Sequence, residues 1–246
     1  MSNTYDRAAW IYDLDTREVH HVDIAFFKEM AGNKSVLELA CGTGRVSIPL
    51  VENGAQVHGL DLSPSMLQVF REKLARLPEK VRQRITITEG NMANFSLGAQ
   101  FPLIIIPFRS FQGLTEESDI TGCLQCVKAH LAPGGRFIVN CFRPYRDIHR
   151  RYPYPEEVMW EREGIVAKHR GDNIDTKRQM IWPTMIYETG SERIEEPLAL
   201  RYYYPGQLKK LLRKAGFKIL EQHGDYDRGP IKRHGGEQIY VCEVAG

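Results

Sequence analysis

Two kinds of hydrophobic spacing alternate along the chain. Segments with apolar residues three and four apart are interleaved with short continuous apolar runs, which is the pattern of helices packed on a buried sheet. Over 1–34 the positions Ala8, Trp10, Ile11 and then Ile24, Phe26, Phe27 and Met30 have helical spacing, closed by Gly32 and Asn33. The run V-L-E-L-A-C-G-T-G at 36–44 predicts a buried strand entering a tight glycine turn, and R-V-S-I-P-L-V-E-N behind it predicts a helix. A second strand, Q-V-H-G-L-D, ends on Asp61. Ser63 as N-cap and Pro64 at the first helical position then open a helix in which Met66, Leu67, Phe70, Leu74 and Leu77 share a face. Strands are expected at 85–89 and 101–108, the latter apolar enough to be covered on both faces. A helix over 116–131, an A-P-G-G break and a strand at 136–142 continue the alternation.

The pattern changes near residue 156. From there to about 204, short alternating segments separated by E-G, R-G-D-N and E-T-G-S predict an antiparallel insertion of three or four strands. The stretch P-G-Q-L-K-K-L-L-R-K-A-G restores a helix, followed by strands F-K-I-L-E-Q-H and Q-I-Y-V-C-E-V. Outside the insertion this makes an α/β fold: a Rossmann-like, seven-stranded, mostly parallel sheet with helices on both faces.

Composition narrows the function classes. With 42% apolar and 26% charged residues over 246 positions, the chain can bury an ordinary core. Its 33 basic and 31 acidic residues leave +2, so no global field draws it to nucleic acid or to a membrane surface. No apolar run reaches the ~20 residues of a membrane span. The N-terminus lacks the order of a signal peptide. Five cysteines, an odd number, fall mostly inside expected elements and suit a reducing, cytoplasmic setting.

Glu38, inside the strand that feeds the glycine turn, sets the ligand chemistry. A turn built for pyrophosphate gains from helix dipoles and basic groups, and a carboxylate there works against it. Ser47 also stands where the dinucleotide fingerprint has its third glycine. A nucleoside-like, positively charged ligand without phosphate fits better, and S-adenosylmethionine is one. Asp61, at the carboxyl end of the next strand, is placed to hold ribose hydroxyls or to favour the dipole of the following helix.

The set V-L-E-L-A-C-G-T-G, H-G-L-D-L-S-P-S-M-L, E-G-N-M and H-L-A-P-G-G-R-F-I-V-N, in this order, resembles the class I S-adenosylmethionine-dependent methyltransferases. The resemblance covers about 5–142 and resumes at Y-Y-Y-P-G-Q-L-K-K-L-L-R-K-A-G-F. It implies S-adenosyl-L-methionine as cofactor, with backbone at Ala40, Gly42 and Gly44 along the methionine portion and Glu38 near its amino group. It further implies Asp61 on the ribose, Leu62 against the adenine, Met66 at the cofactor, and Asn91 and Met92 at the adenine edge. This chain departs from the family pattern at Ala40, in place of the first loop glycine, and at Asn91, in place of the adenine-edge acid. Y-D-R-A-A-W-I-Y-D is similar to the tyrosine-bearing segment that small-molecule members lay over the cofactor. The implied organisation is a helical lid over 1–34 and a methyltransferase domain over 35–246, with Tyr12 approaching the sulfonium. After the fourth strand, Phe108 is expected at the cofactor methyl, and Arg109 and Phe111 toward the acceptor, with Tyr203 of the aromatic insertion.

Other clusters read more simply. Cys123, Cys126 and His130 share a helix face but have no fourth ligand nearby, so buried thiols explain them and no metal is expected. Arg45 is either a partner for a ligand carboxylate or a solvated first-turn arginine. The basic, aromatic stretch 143–152 reads as a connector in preference to a nucleic-acid site. A hydroxyl acceptor would need a general base, for which His20, His21 and His149 are candidates without a motif; no catalytic residue is assigned. The expected activity is in-line methyl transfer to a small-molecule acceptor. An RNA or protein methyltransferase, or a non-catalytic cofactor-binding regulator, is the alternative. The aromatic insertion serves either an acceptor pocket or the interface of a homodimer.

Overall fold

The computed structural model describes residues 5–17, 21–232 and 235–246. Helix α1 (Val22–Ala31) packs Phe26 and Phe27 inward and ends at Gly32. Strand β1 (Ser35–Leu39) leads through the glycine turn into α2 (Ser47–Glu52), and β2 (Gln56–Asp61) into α3 (Pro64–Ala75). The start of α3 is fixed by Ser63, whose Oγ accepts the Met66 N–H at 3.1 Å, and by Pro64. A short α4 (Glu79–Arg82) precedes β3 (Ile85–Glu89); then come β4 (Phe101–Ile106), α5 (Glu117–His130) and β5 (Leu131–Phe142).

A second sheet follows, built from β6 (Tyr154–Arg162), β7 (Ile165–Asp175), β8 (Met180–Glu188), β9 (Arg193–Pro197) and β10 (Leu200–Arg201). All its pairings are antiparallel. Helix α6 (Pro205–Lys214) returns the chain to the first sheet, which β11 (Phe217–His223) and β12 (Glu237–Val244) complete. The order is β11-β12-β5-β4-β1-β2-β3, parallel from β5 to β3, with β12 antiparallel to both neighbours. This is the seven-stranded, mostly parallel sheet expected from the sequence.

The apolar runs are explained by two cores, one on each sheet face. Leu37, Leu39, Ile104, Ile106, Phe137 and Val139 pack with α5 and α6 residues on one side. Val36, Leu103, Ile105 and Ile138 alternate with them and pack with Phe27 and Leu50 on the other. A strand buried on both faces has no polar positions to show, hence the unbroken run in β4.

Four expectations are corrected. The insertion has five strands and begins at Tyr154. β4 ends at Ile106, so Pro107 and Phe108 lie in the loop that follows. β5 begins at Leu131 directly after α5, and A-P-G-G lies inside it beside an irregularity in the pairing with β4. Residues 5–11 form turns that lead into a 3-10 turn at Tyr12–Leu14, with no regular helix before Val22 among the described residues. Ala8 and Ile11 are buried because they pack on Ile165, Ala167, Tyr187 and Ile194 of the second sheet. The N–H groups of Arg7 and Ala8 donate to Glu196 Oε1, at 3.0 and 3.2 Å, in place of helical carbonyls. Among the described residues no helix is long and apolar enough to cross a membrane.

Candidate active site

The carboxyl ends of β1 to β4 open into one cavity of about 670 Å³. β1 lies between β2 and β4, where chain connections leave the sheet in opposite directions and ligands of open α/β sheets sit. Glu38, Ala40, Gly42, Asp61, Leu62, Met66, Asn91 and Met92 line the sheet side. Phe108 and Arg109 line it from the loop after β4. The opposite wall is formed by Tyr5, Tyr12, Asp15 and Arg17 with Met159, Trp160, Met185 and Tyr187 of the second sheet.

Glu38 is 1% exposed, and Ser47 Oγ donates to its Oε2 at 2.5 Å. Burial holds its carboxyl up at about 8, while the Ser47 bond and the charge of Arg45 pull the other way. The neutral acid is therefore the form the folded chain favours at neutral pH. A cation entering the cavity reverses that preference.

Asp61 ties the glycine turn to the end of β2. Its Oδ2 accepts the Gly42 N–H at 2.7 Å and its Oδ1 the Ser63 N–H at 2.8 Å. Burial raises its pKa against these backbone bonds. Ala40, at the turn's first position, has φ +58°, a left-handed conformation that costs a non-glycine residue about 1–2 kcal/mol.

Arg45 is neither solvated nor loose. Its two terminal nitrogens donate to the buried Asp23 of α1, each at 2.7 Å, and its guanidinium lies 4.7 Å from the Phe108 ring centroid. It is also hydrogen-bonded to Tyr12, whose hydroxyl burial pushes up to about 12. No spacing rule would have found Asp23, which sits in an ordinary helix 22 residues before its partner.

Phe108 and Arg109 have φ of +51° and +66°, two consecutive left-handed residues at the cavity edge. Asn140 of β5, 1% exposed, holds that turn. Its Oδ1 accepts the Arg109 N–H at 3.1 Å, and its Nδ2 donates to Glu237 Oε2 at 2.9 Å. Glu237 Oε1 in turn accepts from Arg109 Nε at 2.9 Å and from its Nη2. Asn140→Ala removes both bonds from a buried position and is expected to lower stability by about 1–3 kcal/mol. Urea unfolding followed by circular dichroism measures this directly.

Three residues expected at the site do not line the cavity. Gly44 has φ +79°, and a Cβ there would fall 2.2 Å from the Phe70 ring, so this glycine serves the close approach of α3. Phe111 is fully buried, 6.2 Å from the Tyr203 ring, and both belong to the core with Leu208 and Leu212. Arg109 does line the cavity, but Glu237 engages its guanidinium. Asn91 lines it too, with its amide oxygen accepting the Ala93 N–H at 2.8 Å.

The cysteine and histidine clusters lie elsewhere. His130 Nε2 accepts the Leu97 N–H at 3.0 Å, and Nδ1 donates to the Cys126 carbonyl at 2.7 Å, pinning the loop after β3 onto α5. Cys123 is a core residue whose thiol burial pushes well up. Among the described residues no group of acids, cysteines and histidines is arranged to hold a metal ion. His149 is exposed beside a separate small cavity near Tyr202 and Tyr204. His21 is exposed at the start of α1, and His20 lies outside the described residues. Among the described residues no histidine lines the main cavity.

The chain is similar to known proteins. A methyltransferase-domain family model matches residues 36–135, from β1 into β5. The structure of the CcbJ methyltransferase from Streptomyces caelestis is similar over 99% of this chain and 98% of that one, with a TM-score of 0.85 and 27% identity. A glycopeptide N-methyltransferase, MtfA, solved with S-adenosyl-L-homocysteine bound, matches with a TM-score of 0.64 and 26% identity over 91% of this chain and 86% of its own. The dTDP-3-amino-3,6-dideoxy-alpha-D-glucopyranose N,N-dimethyltransferase of Streptomyces fradiae is 33% identical over 106 residues, 43% of this chain. The match spans only 38% of that relative's length.

Proposed function

We infer that this chain, which belongs to the class I S-adenosylmethionine-dependent methyltransferases, methylates a small-molecule acceptor entering from the second-sheet side of the cavity. When bound, the cofactor supplies a methyl carbon made electrophilic by its sulfonium. The observation that carries the reading is a pair of acids, Glu38 and Asp61, in a cavity whose arginines are each held by another acid. Among the described residues Arg17 pairs with Asp15, Arg45 with Asp23 and Arg109 with Glu237. Such a cavity opposes a pyrophosphate and favours a nucleoside with a cationic tail.

In this reading Glu38 faces the ammonium of the methionine portion, and the backbone at Ala40 and Gly42 follows that portion. Asp61 takes the ribose hydroxyls on lone pairs its backbone partners leave open. Leu62, Met66 and Met92 pack on the adenine, and Asn91 bonds at its edge. Tyr12 and Phe108 present rings toward the sulfonium, whose charge suits an aromatic face. Residues 5–17 act as the lid. They are tied to the second sheet through Glu196, and to the glycine turn and α3 through Asp13, which accepts from Thr43 Oγ1 and Lys73 Nζ at 2.7 Å each. Closing the cavity this way excludes water and holds acceptor and methyl carbon in line, which is most of what such a transfer requires.

Glu38 provides the test. Raised from 4.5 to about 8 by burial, it stays protonated in the empty protein below that value and ionises when an ammonium arrives. Calorimetric titration with S-adenosylmethionine at neutral pH, in buffers of different ionisation enthalpy, should show release of about one proton per ligand. The release should fall to about half near pH 8, fade well above it, and be absent in Glu38→Gln. Heats independent of buffer in the wild type would remove Glu38 from the ligand.

A further inference from the structure

We propose that the acceptor is an amine on an apolar body, methylated at nitrogen inside a box of four aromatic rings: Tyr5, Tyr12, Trp160 and Tyr187. The proposal rests on the cofactor reading above. All four side chains line the one cavity. Tyr5 meets Tyr12 edge-on at 5.5 Å between centroids, and Trp160 lies tilted 6.3 Å from Tyr187. The two pairs come from different parts of the fold, and the packing of Ala8 and Ile11 on Tyr187 and its neighbours holds them against each other.

Aromatic faces attract a cation whichever atom carries the charge. That property suits nitrogen methylation in particular. The acceptor nitrogen's lone pair forms the new N–C bond as the C–S bond breaks, its electron pair remaining on sulfur. One positive charge thus passes from sulfur to nitrogen without leaving the box, and the ammonium proton goes to bulk water on release. An anionic oxygen acceptor would instead annihilate the charge, and the rings would hold nothing afterwards. No histidine among the described lining residues is needed, because an amine attacks as the free base.

Charge and polarity define the rest of the acceptor. The three arginines on the cavity already have acid partners, so a phosphate or carboxylate entering would compete with Asp15, Asp23 or Glu237 for them. Beyond the rings the wall is Met159, Met185 and Leu198 to Leu200. Methionines adapt to irregular apolar shapes, so this surface suits an aliphatic or aromatic body. A nucleotide-linked sugar does not fit that description.

The test uses the full chain saturated with S-adenosyl-L-homocysteine, which fills the cofactor end without its charged methyl group. Phenyltrimethylammonium, its neutral isostere tert-butylbenzene and phenyl phosphate are titrated by ligand-observed NMR. The ammonium is expected to bind about tenfold more tightly than either of the others, as a desolvated cation–π site allows. Trp160→Ala should weaken it about tenfold and Trp160→Phe should largely restore it, with homocysteine-ligand affinity unchanged in both. Equal binding of the neutral or phosphate probe, no ammonium binding, or an indifferent Trp160→Ala overturns the proposal while leaving the cofactor reading standing. Failure of S-adenosyl-L-homocysteine itself to bind defeats both, and is seen before any probe is added.

Discussion

Asp61→Asn is expected to weaken S-adenosyl-L-homocysteine binding by tenfold or more, in a chain that still folds. Charge-assisted bonds to two ribose hydroxyls contribute on the order of 1.5–3 kcal/mol, which is about ten- to hundredfold in affinity. The asparagine loses the charge and also sets an NH2 group against a backbone donor, since Oδ2 now accepts the Gly42 N–H and Oδ1 the Ser63 N–H. The glycine turn is thereby loosened as the ribose bond is lost. Thermal unfolding by circular dichroism separates the two effects, because a purely structural role predicts a lower midpoint with unaltered affinity in the folded fraction. Unaltered affinity would return Asp61 to the bland role of a helix-start acid.

Gly44→Ala is expected to be the most damaging small substitution in the turn, costing about 2–5 kcal/mol. Part is conformational, since φ +79° costs an alanine about 1–2 kcal/mol. The larger part is steric: the new methyl would lie 2.2 to 2.6 Å from three atoms of the Phe70 ring, and overpacking of a core costs about 1–3 kcal/mol. Phe70 is fully buried with Cys41 and Leu67, so its ring cannot swing into solvent. Urea unfolding should show the loss, and Phe70→Leu in the same chain should recover part of it. A stability close to wild type would mean that Gly44 is retained for a ligand and not for packing.

How far the sequence foretold this molecule differs by region. Much of the sheet was legible because several strand ends carry a turn or cap residue: Asp61 ends β2, Ser63 and Pro64 open α3, and Gly90 follows β3. Which strand-end residues line the cavity was legible too, since Glu38, Asp61 and Asn91 lie where strand ends in this topology converge. The wall facing the second sheet was not. Phe111 and Tyr203 look like pocket aromatics, yet they are core, because an inward-facing ring and a cavity-facing ring have the same letter code. The N-terminal segment misled differently: Ala8 and Ile11 have helical spacing, but their burial is against a sheet 150 and more positions away. Asp23, Asp15 and Asn140, which hold Arg45, Arg17 and the strained turn at Phe108, carry no motif. Asp23 and Asn140 matter through contacts 22 and 31 positions away that no local pattern encodes, whereas Asp15 holds Arg17 only two residues on.

In the proposed function Glu38 and Asp61 together select a cationic nucleoside over a dinucleotide. Calorimetric titration of the wild-type chain with S-adenosyl-L-methionine and, separately, with NADH tests it most directly. One saturable site per chain is expected for S-adenosyl-L-methionine, and no heat of binding for NADH. Saturable binding of NADH, or none of S-adenosyl-L-methionine, would contradict it.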